Sequence, residues 1–212
     1  MMSDTHNLHQ QIAVPEGDVL IHAGDATMNG TERELMPFLD WFGGQPHPHK
    51  LLVSGNHDWG FQTNRIPMFQ ACVARHINLL HDREVLIDGV NFWGTPWQPE
   101  FGGWAFNLPR GAALAEKWSL IPAHTEVLIT HGPPMGIRDA TSYGGRPETT
   151  HVGCEELAER LTSLPRLRVH VFGHIHEGSG ITQVSPTLTF VNAAICNLAY
   201  RAVNPVRVVE IN

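Results

Sequence analysis

The stretch Val19-Leu20-Ile21-His22-Ala23-Gly24-Asp25 decides how the chain is read, because an apolar, β-branched run ends in a glycine and a carboxylate. Short apolar runs bounded by turn residues have the pattern of buried strands. The arrangement recurs: Leu51–Ser54 leads into Gly55-Asn56-His57-Asp58, Val127–Thr130 into His131, and Val169–Phe172 into Gly173-His174-Ile175-His176. Ligands of open α/β sheets bind beyond the carboxyl ends of the strands. Four polar motifs at four such ends therefore argue for a site rather than for scattered surface polarity. Asp4-Thr5-His6, near the amino end, completes the set.

Outward from these motifs, strand-like runs cover Asp18–His22, Lys50–Ser54, Glu84–Ile87, Val90–Gly94, Glu126–Thr130, Arg168–Phe172, Leu188–Asn192 and Val206–Ile211. Helical patterns lie between several of them. Thr31 can cap a helix from Glu32 to about Phe42, stopped by Gly43-Gly44 and Pro46; others cover Pro67–Arg75, Gly111–Trp118 and Cys154–Leu164. Alternating strands and helices imply parallel pairing through crossovers, whereas Asp88-Gly89 is a strong hairpin signal. The expected fold is α/β, with two stacked, mostly mixed β-sheets flanked by helices. No repeat, low-complexity tract or charge block divides the chain, so a single domain over residues 1–212 is expected.

Composition narrows the function. A 42% hydrophobic, 17% charged chain of 212 residues is globular, and its formal charge is −7, with Lys50 and Lys117 the only lysines. Such an acidic surface repels long polyanions, which argues against duplex nucleic acid and against a nuclease. A small phosphorylated substrate drawn to a local cationic centre stays compatible. Cys72, Cys154 and Cys196 are odd in number and show no C-x-x-C spacing, as expected of reduced, packed thiols in a cytoplasmic protein. No apolar run approaches the roughly 20 residues of a membrane span, and the polar first ten residues are unlike a signal peptide.

The five motifs supply three carboxylates, one amide and five imidazoles. Imidazole and carboxylate donors together suit Mn, Fe, Zn, Ni or Co better than iron–sulfur clusters or structural zinc. Two divalent cations roughly 3.5–4 Å apart are a recurrent device for displacement at phosphorus, so the chain reads as a dinuclear metal phosphoesterase. The i, i+2 spacings in Asp4-Thr5-His6 and His174-Ile175-His176 would put both side chains of each pair on one face of extended backbone, converging on one centre. Glycine before Asp25, Asn56 and His174 permits tight strand-to-loop turns. Asp25 can bridge two cations, and Asn56 offers a neutral oxygen.

The ordered set D-x-H, GD, GNHD, H and GH-x-H resembles the calcineurin-like metallophosphoesterase superfamily, at every ligand position from residue 4 to 176. Val19–Asp25, Gly94-Thr95-Pro96-Trp97, Thr130–Pro134 and Val171–Gly178 look most like its metallophosphoesterase-domain-containing branch. The resemblance implies a four-layer αββα sandwich. It implies one metal held by Asp4, His6, Asp25 and His176, and a second by Asp25, Asn56, His131 and His174, with Asp25 bridging. It implies a catalytic His57 that faces substrate without binding metal, oriented by Asp58, and phosphodiesterase activity on cyclic nucleotides or related small diesters with Mn²⁺ as activator. Two cations lower the pKa of a shared water, so a bridging hydroxide is available near neutral pH. His57 can then donate to a phosphate oxygen or to the departing alkoxide. The superfamily normally carries a full apolar strand before D-x-H, and here only Met1-Met2 precede Ser3. Since chain ends fray, Asp4 and His6 are expected to be the most loosely held donors.

Other residues have plainer readings. Strand-end Asp and Asn commonly serve turns, and only their convergence argues otherwise. His22 is expected to be a buried, hydrogen-bonded histidine, His47 and His49 solvated, and His9, His76, His81, His124 and His170 surface or core groups. His151 lies in a loop where a substrate-edge role is the alternative to exposure. Trp97, Phe101, Trp104 and Phe106 could form a wall stacking a nucleobase, with Trp97 taken as a substrate contact beside Asn56 and His57, or a packed loop. Met135–Thr150 could be a mobile lid whose Arg138 or Arg146 meets phosphate, or ordinary surface. The alternatives to a diesterase are a phosphomonoesterase using the same metals, a nucleotide-binding or scaffold protein with little turnover, and a metal-dependent amidohydrolase. The intact His174 and His176 weigh against the scaffold, and the amidohydrolase leaves Gly55–Asp58 without a role. Oligomeric state has no sequence signal.

Overall fold

The computed structural model describes every residue except Arg146, Glu148, Thr149 and Asn212. Strands β1 (Val19–Ala23), β2 (His49–Val53) and β3 (Asn78–Leu79) form a parallel three-stranded sheet. A six-stranded mixed sheet contains β4 (Arg83–Ile87), β5 (Val90–Thr95), β8 (Val127–Thr130), β11 (Val169–Phe172), β12 (Gly180–Ser185) and β13 (Leu188–Asn192), in the order β12-β13-β11-β8-β5-β4. Its four central strands are parallel, and the two edges are antiparallel. Two short ladders, parallel β6 (Gln98–Pro99) with β7 (Asn107–Leu108) and antiparallel β9 (Ala140–Thr141) with β10 (Thr150–His151), flank the strand ends.

Side-chain alternation builds the layers. Ile21, Ala23, Leu51 and Val53 of the small sheet meet Phe92, Val127, Ile129, Val171 and Val191 of the large one in a shared core. Leu20 and Leu52 point the other way, onto α1 (Glu32–Gly43) and α3 (Arg65–Val73) through Phe38, Leu39, Phe42 and Met68. On the far side, Trp93 and Leu128 meet Leu114 and Trp118 of α4 (Ala112–Ser119) and Leu157 of α5 (Glu155–Leu161). A one-turn helix, α2 (Gly60–Thr63), follows the Gly55–Asp58 motif. The result is a helix–sheet–sheet–helix sandwich. Glu34 accepts from both the backbone and the hydroxyl of Thr31 at the start of α1, and Asp88 and Gly89 both take positive φ, as a two-residue hairpin turn requires.

Four expectations change. Residues 2 and 3 are a buried splice between the sheets rather than a loose end. Met2 pairs with β1, Ser3 pairs with Ala194 beyond β13, and residues 2–5 are fully buried. Among the described residues Val206–Ile211 forms no ladder: Val209 and Ile211 pack on the inter-sheet core, and the backbone of Arg207 exchanges hydrogen bonds with Met1. Conversely β12, rich in polar residues, is an edge strand whose pairing with β13 no apolar run advertised. His47 is also buried rather than solvated, its Nε2–H donating to the Pro15 carbonyl. Among the described residues no helix is long and apolar enough to cross a membrane.

Phe38 is fully buried between α1 and β1, against Phe42 and His22. Phe38→Ala is expected to lower unfolding free energy by about 3–5 kcal/mol, read from urea denaturation followed by tryptophan fluorescence.

Candidate metal centre and cleft

The loops after β1, β2, β8 and β11 meet the Asp4–His6 segment at one edge of the sandwich. Asp25 Oδ2 lies 3.3 Å from His131 Nε2, 3.8 Å from His6 Nε2 and 4.0 Å from His57 Nε2. His176 Nε2 is 3.3 Å from Asp4 Oδ1 and 3.3 Å from His6 Nε2, and Asn56 Oδ1 is 3.0 Å from His131 Nε2. Three overlapping groups of donors form: Asp4, His6 and His176; His6, Asp25 and His57; Asp25, His131 and His174. Donors about 2.1 Å from a first-row cation lie about 3.0–3.4 Å apart in octahedral or tetrahedral arrays, which matches the closest of these separations.

The tautomers supply an independent fit. Nδ1 of His6 faces the Thr27 carbonyl (3.1 Å), that of His57 the Met28 carbonyl (2.6 Å), that of His131 the Ala23 carbonyl (2.9 Å) and that of His176 the Asn197 carbonyl (3.0 Å). A carbonyl only accepts, so each Nδ1 carries a proton and each Nε2 turns inward, as a lone pair whenever the ring is neutral. Lone pairs aimed at carboxylates and at one another repel unless protons or cations stand between them. Backbone carbonyls fixing the outer ring nitrogen are the usual support for metal-ligating histidines.

The electrostatics of these groups make the same point. Burial opposes ionisation of Asp25, yet the charge and hydrogen bond of His131 hold it well below the usual carboxylate range, and His176 does the same for Asp4. Against burial, Asp25 raises His131 to about 9, and Asp4 raises His176. Burial drives His174 down to about 3 and lowers His6. Asp25 and Asp4 thus favour positive charge on the side where Nε2 of His131 and of His176 faces them.

Backbone conformation is unusual where these residues sit. Asp4 (φ 52°), His6 (41°), Asp25 (54°) and His174 (66°) are left-handed, a state costly for residues other than glycine and concentrated at functional sites. Extended i, i+2 geometry is therefore not what aims these pairs. Asp4 and His6 do share a group, but His174 and His176 diverge, one joining Asp25 and His131 and the other Asp4 and His6. A turn redirects each side chain separately. The His174 backbone N–H donates to the Asp4 carboxylate, tying the two groups together. Gly24, itself at φ 99°, and Gly55 lie so close together that a Cβ on either would collide with the other's loop.

Asp58 does not orient His57. It is fully buried, and its oxygens accept from the backbone N–H of Gly55, Ala26 and Thr27 and from the Thr27 hydroxyl. It therefore staples the Asp25 loop to the Asn56-His57 loop, and the Met28 carbonyl sets the His57 tautomer. Burial, with the Asp25 charge, pushes the Asp58 carboxyl up to about 6. His22 is buried behind the centre, its Nε2 paired with the Thr5 hydroxyl, and burial pushes it down to about 3.

A cleft of about 320 Å³ opens over these groups, lined by Asp25, Asn56, His57, His174 and His176 and walled by Phe101, Trp104, Tyr143 and Tyr200. Trp97 is not among its walls. Its Nε1 donates to Asp82, Lys117 sits 4.4 Å over its ring, and it packs on Phe106, so the expected substrate contact is a packing residue. Half-buried Trp104 takes the place in the cleft wall, 4.1 Å from His57. Tyr200 packs on His6 and His176 at 4.8 and 5.5 Å, and nothing in the sequence pointed to it. Arg138 turns away, its guanidinium bonded to the carbonyls of Gly178, Ser179 and Ile181 and the Thr182 hydroxyl. Arg146 lies outside the described residues. Glu177 anchors the start of the expected lid by accepting from Thr141 and Ser142. His151 pairs with buried Asp139 at 2.7 Å.

Comparison with known proteins defines the class. Residues 2–178 match the model of the calcineurin-like phosphoesterase family, and the chain belongs to that family of metallophosphoesterases. Within it the chain falls in the metallophosphoesterase-domain-containing branch. It is 40% identical to Metallophosphoesterase domain-containing protein 1 of Homo sapiens, over 99% of this chain and 69% of that one. A UPF0046 protein of Caenorhabditis elegans is 39% identical over 92% of this chain and 69% of its own length. The fold is shared with the Phosphopantetheinyl Hydrolase (PptH) from Mycobacterium tuberculosis, with a TM-score of 0.63 at 16% identity over 94% of this chain and 89% of that one.

Asp58→Asn keeps the shape of the staple but sets an amide against N–H donors. It is expected to lower stability by about 1–3 kcal/mol, measured as a shift of the urea midpoint.

Proposed function

We propose that this metallophosphoesterase is a dinuclear phosphodiesterase acting on small nucleotide-type diesters such as cyclic nucleotides, with Mn²⁺ as its activating ion. The observation that carries this reading is the set of three imidazoles, His6, His131 and His176, whose Nδ1–H groups are spent on backbone carbonyls, so that Nε2 of each faces Asp25 or Asp4. Asp4, His6, Asp25 and His176 would hold one cation, and Asp25, Asn56, His131 and His174 the other. When bound, the pair supplies charge neutralisation at the phosphoryl oxygens and activation of water near neutral pH.

The chain's own residues do the rest. His57, its Nδ1–H held by the Met28 carbonyl, reaches the cleft through Nε2 and, as the imidazolium with a second proton on Nε2, donates that proton to the leaving oxygen. Asn56 presents its side chain at the cleft floor, and the aromatic walls exclude water from the reacting atoms. A cleft of this size suits a mononucleotide-sized ester, and the chain's −7 charge disfavours long polyanions. A reducing compartment such as the cytoplasm suits three free, buried thiols.

Two measurements test the reading. Asp25→Asn, compared with the parent chain on bis(p-nitrophenyl) phosphate and added Mn²⁺, is expected to lose nearly all turnover; equal rates would remove the catalytic reading. His57→Ala is expected to retain two metals by elemental analysis while losing about 10²–10⁴-fold in kcat on diesters with poor leaving groups. Loss of a cation in that variant would make His57 a ligand instead.

A further inference from the structure

We propose that Trp104 is a positioning residue for His57, holding the imidazole in the one orientation from which Nε2 reaches the leaving oxygen; this rests on the proton-donor role given to His57 above. The His57 ring is held on three sides. Its Nδ1–H donates to the Met28 carbonyl at 2.6 Å, the edge-on His6 ring lies 4.9 Å away at 85°, and the Trp104 indole lies 4.1 Å away at only 33°. The indole is the cover on the cleft side. Its removal leaves the ring held by one hydrogen bond and the His6 edge, and free to swing into the opening.

The loop that carries Trp104 is attached to the backbone it would steady. The Ala105 N–H donates to the Asn56 carbonyl at 3.2 Å, the Phe106 N–H to Gln62 Oε1 at 2.6 Å, and Asn107 Nδ2 to the Phe101 carbonyl at 2.7 Å. Gly102 and Gly103, at φ 58° and 70°, make the turn that brings the indole back over the cleft. Phe106, two residues on, is 1% exposed in the core, whereas Trp104 stays partly open and lines the cleft. The loop thus anchors itself with Phe106 and spends Trp104 on His57. Proton donation demands hydrogen-bond reach, and small misplacements of a catalytic group cost heavily.

The test uses the full-length chain with Mn²⁺ and two diesters of like size and charge, methyl p-nitrophenyl phosphate and methyl phenyl phosphate, which differ in their need for an acid. Trp104→Ala is expected to lower kcat on the phenyl ester by about 10–100-fold, with a loss about tenfold smaller on the nitrophenyl ester. His57→Ala should show the same leaving-group pattern. Trp104→Phe, which keeps a flat face, should recover most of the loss, and Trp104→Leu, which keeps bulk alone, should not. With diamagnetic Zn²⁺ in place of Mn²⁺, the His57 Nδ1–H signal in ¹⁵N NMR should broaden by exchange in the Ala variant and persist in the Phe variant. Equal losses on both esters, or Leu rescuing as well as Phe, would reduce Trp104 to a wall of the cleft and overturn the proposal. A His57→Ala protein that keeps both metals but shows no leaving-group dependence would instead defeat the donor role, and the proposal with it.

Discussion

A buried carboxylate surrounded by imidazole lone pairs is the constraint from which the site takes its form. Asp25 Oδ2 is approached by Nε2 atoms of His6, His57 and His131, and Asp25 Oδ1 accepts the His57 backbone N–H at 2.8 Å. So many acceptors gathered away from water are mutually unfavourable unless positive charge is shared among them. The left-handed turns at Asp4, His6, Asp25 and His174 run the same way, since strained backbone persists only where its surroundings over-determine it.

What over-determines it here is mostly backbone. Carbonyls of Ala23, Thr27, Met28 and Asn197 set four tautomers, and Asp58 collects the N–H groups of two loops into one carboxylate. The sheets beneath hold these loops in register: β1 pairs with β2, β8 with β11, and the Met2-Ser3 splice joins the two sheets below Asp4. The rigid layer is the sandwich, and chemical variety is left to the aromatic loops around the cleft, a division common to folds that host many activities.

Much of this was legible from the residues. Strand ends marked by Gly-Asp, Gly-Asn-His-Asp and Gly-His-x-His located the edge where the groups meet, and Asp88-Gly89 located a hairpin. The misreadings have a common cause. Trp97 and Trp104 lie seven residues apart among the same glycines, and only the packing of Trp97 on Asp82 and Lys117 separates core from cleft. Asp58 stands next to His57 in sequence, yet its carboxylate faces Thr27, more than thirty residues away in the chain. Val206–Ile211 is an apolar, β-branched run that forms no ladder among the described residues, whereas the polar β12 is a strand because β13 is.

The sequence by itself determined which donor atoms this protein owns and that they lie at the ends of buried strands, because hydrophobic runs and turn residues are local signals. Only the tertiary structure decided how those donors divide: His174 to Asp25 and His131, His176 to Asp4 and His6, Asp58 to the backbone of two loops, and Trp104 rather than Trp97 to the cleft. Each of those choices depends on a left-handed turn or on a contact between segments far apart in the chain. Neither leaves a periodic trace in the sequence.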